Sequence, residues 1–329
     1  MIKMLMFDLK ESEKQFLNGF DTSDFEITYY KESLNKNTKL TVTECDETVI
    51  LSTFVTSDIT KEVLDKFKNL RIIVNRSVCY NNIDIAECRK RNIAVINSTG
   101  YAADAVSQFV AGLILALTRN IVKASENAKK GISQFEKYEG VNINNLSLGV
   151  IGTGRTGSAV CEIGHRLGMK IYANDFTINK DIAEFSEYVS FNDLIRQSDI
   201  ITLHIPYSKD CYHIFSDKQF EIMKETSYII NVSRGEFIDL TALYNAVKKG
   251  KIKGGALDIL TEEKDIFDKN LTRQELEEIL IKQKLSDLSD IIITPAIAYD
   301  TKESLENILI SNFHDIKDYF IGRKTNRIV

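Results

Sequence analysis

The chain has 329 residues, 43% hydrophobic and 27% charged, with 42 Lys and Arg against 47 Asp and Glu for a formal net charge of −5. At about 100–200 residues per domain, this length predicts two domains, each able to bury its own core, and the composition excludes wholesale disorder. A mildly acidic total gives no electrostatic ground for nucleic acid or an anionic membrane as a partner.

In chain order, the first apolar run is too short for the core of a secretory signal and reads as a strand over residues 3–7. Strands follow at 48–51, 71–74 and 94–97, with a helical pattern at 61–67. Residues 101–120 read as one long helix. Its apolar stretch, 109–117, is about half of the ~20 residues that cross a bilayer. A second series then opens, with strands at 147–151, 170–174, 200–204, 228–231, 255–258 and 291–294. Helical patterns lie between them at 157–167, 194–198, 217–223 and 240–248, and a last helix covers 303–319. Strand and helix in alternation predict an α/β protein with doubly wound parallel sheets, and the continuous apolar strands fit burial on both faces. The seam between the series predicts a discontinuous first domain, 1–100 plus 300–329, with 101–299 inserted into it. The lysine-rich stretch 247–253 reads as a solvated turn. Five scattered cysteines without a CxxC pair form neither a disulfide framework nor a zinc site, so no metal is expected and a reduced, cytoplasmic setting is.

Residues 149–157, GVIGTGRTG, carry the strongest chemical signal. Gly152 suits a tight turn, Gly154 lets backbone approach a pyrophosphate, and Gly157 allows a helix to pack closely on the strand before it. The helix N-terminus adds N–H donors and a positive dipole end. The next strand ends in Asp175, about 20 residues on, where an acid accepts the adenosine ribose hydroxyls and repels a 2′-phosphate. Phe176 and Thr177 follow, with no adjacent Arg or Lys. NAD is therefore expected rather than NADP.

Four further segments come in fixed order: LHIP (203–206), NVSRGEFID (231–239), GGALDILTEE (254–263) and ITPAIAYDT (293–301). Together with the glycine loop they resemble the D-specific 2-hydroxyacid dehydrogenases, in particular the branch with fermentative D-lactate dehydrogenases and the vancomycin-resistance enzyme. The resemblance implies two Rossmann- or flavodoxin-like domains with an interdomain cleft, NAD as cofactor, a small 2-keto or 2-hydroxy acid as substrate, and a homodimer built on the cofactor domains. It assigns Arg234 to the substrate carboxylate and carbonyl, a role that suits a planar, permanently charged fork. It assigns Asp258 to the nicotinamide carboxamide and Glu263 to the partner of a catalytic histidine. Arg155 and Thr156 would lie along the pyrophosphate, and Ile205, Pro206, Val232 and Ser233 would line the cofactor.

The resemblance breaks at ITPAIA. The family pattern has a histidine directly after the proline, and this chain has Ala296. That histidine donates a proton to the keto oxygen as hydride reaches the carbon; alanine has none to give. His165, His204, His213 and His314 lie in segments that offer no substitute. The substrate side departs as well. In RSVCYNNID the backbone of Val78 and Cys79 would bind the carboxylate, but Cys79 stands where glycine is usual. Tyr101 is retained in STGYAADAVSQF, whereas Ala102 and Ala103 replace a Ser-Pro pair and Gln108 stands at a usually acidic position. A specificity pocket is expected near residues 51–55 and Tyr299. The expectation is an NAD-dependent oxidoreductase interconverting a 2-keto acid and a D-2-hydroxy acid, attenuated or inactive through Ala296. The alternative is a non-catalytic NAD(H)-binding sensor or scaffold on the same fold. Ala296 itself fits a substitution that silences an intact site, a relative with altered chemistry, or a binding protein.

Overall fold

A computed structural model of the chain describes residues 1–78, 80–132, 138–258, 273–323 and 325–329. They divide into two compact units, one formed by Met1–Tyr101 with Asp300–Val329 and the other by Ala102–Tyr299. The first holds strands β1 (Ile2–Met6), β2 (Phe25–Tyr29), β3 (Ile50–Thr53), β4 (Ile72–Asn75) and β5 (Ala94–Asn97), all parallel, in the order β2-β1-β3-β4-β5. This is the flavodoxin-like winding. Side chains alternate between two apolar faces. On one face Leu5, Leu51, Ile73 and Val95 are buried together. On the other, Met4, Ile50, Ile72 and Ile96 are covered by Ile308, Leu309, Phe313 and Ile316 of the last helix, Lys302–Phe320. Four such side chains contribute roughly 1.5–3 kcal/mol each, which is why the chain returns to this unit after completing the second.

The second unit is a seven-stranded parallel sheet. Its strands are β6 (Ser147–Ile151), β7 (Lys170–Asn174), β8 (Ser186–Tyr188), β9 (Ile200–Leu203), β10 (Tyr228–Asn231), β11 (Gly254–Asp258) and β12 (Ile291–Thr294), in the order β12-β11-β10-β9-β6-β7-β8. The winding reverses between β6 and β9, as in a Rossmann sheet. Leu148, Val150, Ile200 and Ile230 face the helix Ala103–Thr118 through Val110, Leu113 and Ile114. Ile201, Leu203 and Ile229 face Phe215, Phe237 and Leu243 on the opposite side. Among the described residues, no single helix is long and apolar enough to cross a membrane.

Three differences from the sequence reading have physical causes. Strands β2 and β8 were not anticipated; both are sheet edges, half exposed, with charges in the pattern (FEITY, SEY), so neither shows a continuous apolar run. The long helix stops at Thr118 because Asn120 adopts a left-handed backbone (φ 51°) that turns the chain into a second helix, Ile121–Lys129. Strand β3 extends to Thr53, and Leu51, Ser52 and Thr53 are at most 2% exposed. Those three residues belong to the core, so of the expected 51–55 specificity segment only Phe54 and Val55 are half-buried rather than buried.

Candidate active site

The register of the second sheet aligns six motifs at its carboxyl edge. Asn174, Ile151, Leu203, Asn231, Leu257 and Ile293 are successive cross-strand partners. The residues that follow them are Asp175, Gly152, His204, Val232, Asp258 and Thr294. Open parallel sheets bind ligands at this edge, beside the reversal point. Among the described residues there is no cluster of side chains able to hold a metal ion.

The glycine loop shows separate reasons for its three glycines. Gly152 has φ 91°, and an added Cβ would lie 2.6 Å from the His204 carbonyl oxygen. At Gly157 a Cβ would lie 1.8 Å from the Gly152 oxygen, so the helix Arg155–Arg166 packs on the loop only with glycine there. At Gly154 a Cβ would meet nothing within 4 Å, and φ −67° suits any residue. Neither backbone nor packing asks for glycine at 154. The open space before it fits a pyrophosphate, with the helix N-terminus at Arg155 and Thr156 behind it. The residues present therefore fit a dinucleotide.

Asp175 lies beside this loop. One carboxylate oxygen accepts the Thr153 N–H at 2.6 Å and the Thr153 hydroxyl at 3.3 Å, and the other accepts Thr177 N–H at 3.2 Å. Burial pushes the carboxyl up, but the N–H groups of Thr153, Thr177 and Phe176 and the Thr153 hydroxyl together hold it below the usual carboxylate value. Phe176, the next residue, is fully exposed.

Along the rim, Asn231 shapes the turn that carries Arg234. Its Nδ2 donates to the Arg234 carbonyl (2.6 Å), and its Oδ1 accepts the Ser233 N–H (3.1 Å). The Ser233 hydroxyl donates to the Leu203 carbonyl and joins the turn to the LHIP segment. Val232 packs on one apolar face of the sheet and Ile205 on the other, while Pro206 is exposed. Asp239, the last residue of NVSRGEFID, caps the helix Leu240–Lys248 by accepting from Thr241 and Ala242 N–H. The Arg234 side chain is half-buried, and no hydrogen bond or ion pair reaches it from the described residues.

Asp258, 5% exposed, holds the segment after β12. It accepts from the Thr294 hydroxyl and from the N–H groups of Ile297 (2.9 Å) and Ala298 (2.7 Å). Ala296, in the same turn, has φ 52°, a left-handed conformation that costs an ordinary L-residue about 1–2 kcal/mol. Tyr299 is half-buried in this unit.

In the first unit, Val78 is 48% exposed and its carbonyl accepts from Asn97 Nδ2 at 2.9 Å. Tyr101 packs partly buried on the core face that the last helix covers. Cys79 and Glu263 lie outside the described residues. The sequence reading missed Arg76, which is 1% exposed at the end of β4. Its guanidinium donates to Glu13 (3.2 Å), Ser52 (2.8 Å) and the carbonyls of Phe7 and Asp8 (2.7 and 3.1 Å), anchoring the start of the Val78 segment. An arginine directly after an apolar strand was the available signal.

The four histidines lie in four separate segments of the chain. His165 stacks on Phe185, and His314 is exposed on the last helix. The His213 ring stacks on Tyr212 and lies 3.8 Å from Asp239. His204 packs its backbone against the glycine loop, its Nε2 is 2.9 Å from the Thr202 hydroxyl, and burial pushes its imidazole down to about 4. The unfolded chain, with His204 near 6.5, binds the proton first, so stability falls as pH drops from about 6.5 toward 4 and is fully present above that window. The loss is on the order of 3 kcal/mol. Asp199 and Asp175 are held below 3.8 and respond only at lower pH. Melting temperatures from pH 7.5 to 4.5 should fall more for the native chain than for His204→Asn, and parallel curves would refute the assignment.

Comparison with known proteins bears on the same residues. The model of the D-isomer specific 2-hydroxyacid dehydrogenase NAD-binding domain matches residues 111–298. The chain is 33% identical over 262 residues to an aromatic 2-oxoacid reductase of Clostridium sporogenes, covering 79% of each protein. It is 32% identical over 295 residues to a glyoxylate reductase of Thermococcus litoralis, covering 86% of this chain and 84% of that one. Among solved structures, D-lactate dehydrogenase of Aquifex aeolicus complexed with NAD and lactic acid is similar at 31% identity and TM-score 0.79, over 97% of this chain and 96% of that one. With a dinucleotide cradle at the sheet reversal, an arginine on the same rim that no side-chain partner reaches among the described residues, and these relatives across most of its length, the chain belongs to the NAD-dependent D-isomer specific 2-hydroxyacid dehydrogenases.

Proposed function

We propose that this chain reduces a small 2-keto acid to the D-2-hydroxy acid, in the manner of a D-lactate dehydrogenase, and that Ala296 leaves its turnover attenuated. The observation that carries this reading is Arg234. Arg234 is half-buried, its turn follows the strand end on the rim that bears the glycine loop, and no hydrogen bond or ion pair reaches its side chain from the described residues. A planar cation so placed suits a carboxylate with an adjacent carbonyl, the two groups a 2-keto acid presents. The relatives agree in class, since one is an aromatic 2-oxoacid reductase and another a glyoxylate reductase.

The bound cofactor supplies the hydride. Gly152, Gly154, Arg155 and Thr156 would hold its pyrophosphate, Asp175 would take the adenosine ribose, and Asp258 would hold the carboxamide. Backbone N–H groups at Val78 and Cys79 bind the substrate carboxylate, and Tyr101 and Tyr299 border the substrate. Arg234 orients the keto acid and stabilises the oxygen as the carbonyl π pair moves onto it. That oxygen must gain a proton, and in the family position Ala296 offers none. Water then serves as the donor, with Glu263 left without its histidine partner. General acid help is worth ~10²–10⁴-fold, so turnover is slow rather than absent.

The test is NADH oxidation over a panel of 2-keto acids of increasing side-chain size, with NADH binding followed by fluorescence. Slow turnover of one class supports the reading and names the substrate. Tight NADH binding with no turnover, unchanged when a histidine is placed at 296, would overturn it in favour of a sensor.

The proposal extends to a homodimer built on the second unit. Leu115, Ile121, Val122 and Val141 expose 38–53% of their surface on and beside the helices Ala103–Thr118 and Ile121–Lys129. Light scattering should give about twice the 37.4 kDa chain mass, and Ile121→Asp should give a folded monomer. A native chain that scatters as a monomer would refute it. A reducing, cytoplasmic setting fits the free thiols of Cys88 and Cys161, which burial pushes up to about 11 and about 12.

A further inference from the structure

Behind the glycine loop runs a chain of hydrogen bonds that the assigned roles do not use. Tyr188, at the end of edge strand β8, accepts the Asn179 N–H at 3.1 Å and donates its hydroxyl to Thr153 Oγ1 at 2.8 Å. The Thr153 hydroxyl points its own proton at Asp175, the same carboxylate oxygen that takes the Thr153 N–H. A second branch holds the Thr153 carbonyl: Asn179 Nδ2 donates to Ser158 Oγ (3.0 Å), which donates to Thr153 O (2.8 Å). Thr153 is the residue between Gly152 and Gly154, and it is 5% exposed. Its N–H, carbonyl and hydroxyl are therefore all committed to holding the loop and the acidic residue in one arrangement.

We infer that Tyr188 is a positioning residue for the adenosine end of the cofactor, acting through Thr153 to present the outer oxygen of Asp175 to the ribose hydroxyls. Each hydroxyl in the series has one proton, and the directions are mutually consistent, all running toward the carboxylate. With its inner oxygen saturated by Thr153, Asp175 has only the outer oxygen, shared with the Thr177 N–H, to offer a ligand. Removing the Tyr188 hydroxyl leaves Thr153 Oγ1 free to turn its proton elsewhere, and the carboxylate gains a rotational freedom that binding must then remove. The same fixed negative charge disfavours a 2′-phosphate, so loosening it narrows the preference for NADH over NADPH.

This inference rests on the reading of Asp175 as the ribose acceptor, and the experiment separates the two. Dissociation constants for NADH, NADPH and reduced nicotinamide mononucleotide would be measured by fluorescence, with the unliganded melting temperature as a fold control. Tyr188→Phe is expected to weaken NADH about tenfold, roughly the loss of one charge-assisted hydrogen bond. NADPH should be unchanged or tighter, and the mononucleotide, which lacks adenosine, unchanged. Thr153→Val should reproduce this pattern, Thr153→Ser should retain native affinity, and the Tyr188→Phe/Thr153→Val double variant should be no weaker than either single one. If both single variants keep native NADH affinity, or lose all three ligands in step with a fall in melting temperature, the positioning role is wrong. Asp175→Ala tells the two ideas apart: if it too leaves NADH affinity intact, the ribose assignment itself fails.

Discussion

An Ala296→His variant is expected to gain ~10²–10⁴-fold in kcat with its best keto acid, with NADH affinity unchanged. The backbone is ready for the substitution. Ala296 is held at φ 52° because Asp258 fixes the N–H groups of Ile297 and Ala298 directly after it. Histidine is several-fold enriched in this left-handed region, where an ordinary alanine is strained. The turn therefore suits a histidine better than the residue it holds. An Ala296→Gly control relieves the same strain without adding an imidazole. It should raise the melting temperature slightly and leave kcat where it was. A gain shared by both variants would mean that backbone geometry, not a proton donor, limits the rate. In the histidine background, Glu263→Gln should remove much of the gain by lowering the pH at which the imidazole stays protonated.

Arg234→Gln is expected to cost two to four orders of magnitude in kcat/KM for the keto acid, the penalty for leaving a substrate carboxylate without its charged fork. NADH affinity should stay native, because the residues given to the cofactor hold their places independently of this side chain. Asn231 anchors the turn through the Arg234 carbonyl and the Ser233 N–H, contacts that any side chain at 234 preserves. Arg234→Lys keeps the charge but loses the planar two-pronged geometry and should fall between the two. Equal loss of NADH and keto acid binding in Arg234→Gln would show that the turn had collapsed and would remove Arg234 as the substrate anchor.

The chemistry-bearing segments were legible in the chain because each combines an apolar strand, buried in most cases, with an immediately following turn of restricted composition. GVIGTGRTG and NVSRGEFID follow this form, ITPAIA follows an apolar but half-buried edge strand, and the sheet register brings all three to one edge. Local rules were enough for Gly152 and Gly157, whose backbone and packing demands the structure shows directly. The order of strands was less accessible. Edge strands β2 and β8 carry too little apolar sequence to announce themselves, since half of each faces water. With β8 went Tyr188, whose hydroxyl acts on a loop that is remote in sequence and adjacent in space.

The sequence alone determined the parallel α/β class, the dinucleotide motif, the preference for NAD and the absence of a histidine at 296. These follow from composition, periodicity and short-range spacing, which are local properties. Only the tertiary structure decided that Leu51–Thr53 belong to the core and that Arg76 is a buried tether. It also decided that Asp258 forces Ala296 into a left-handed turn and that Thr153 is held from both sides. Each of these depends on which distant groups meet once apolar burial has packed the sheets, a matter of long-range contacts that local sequence does not encode.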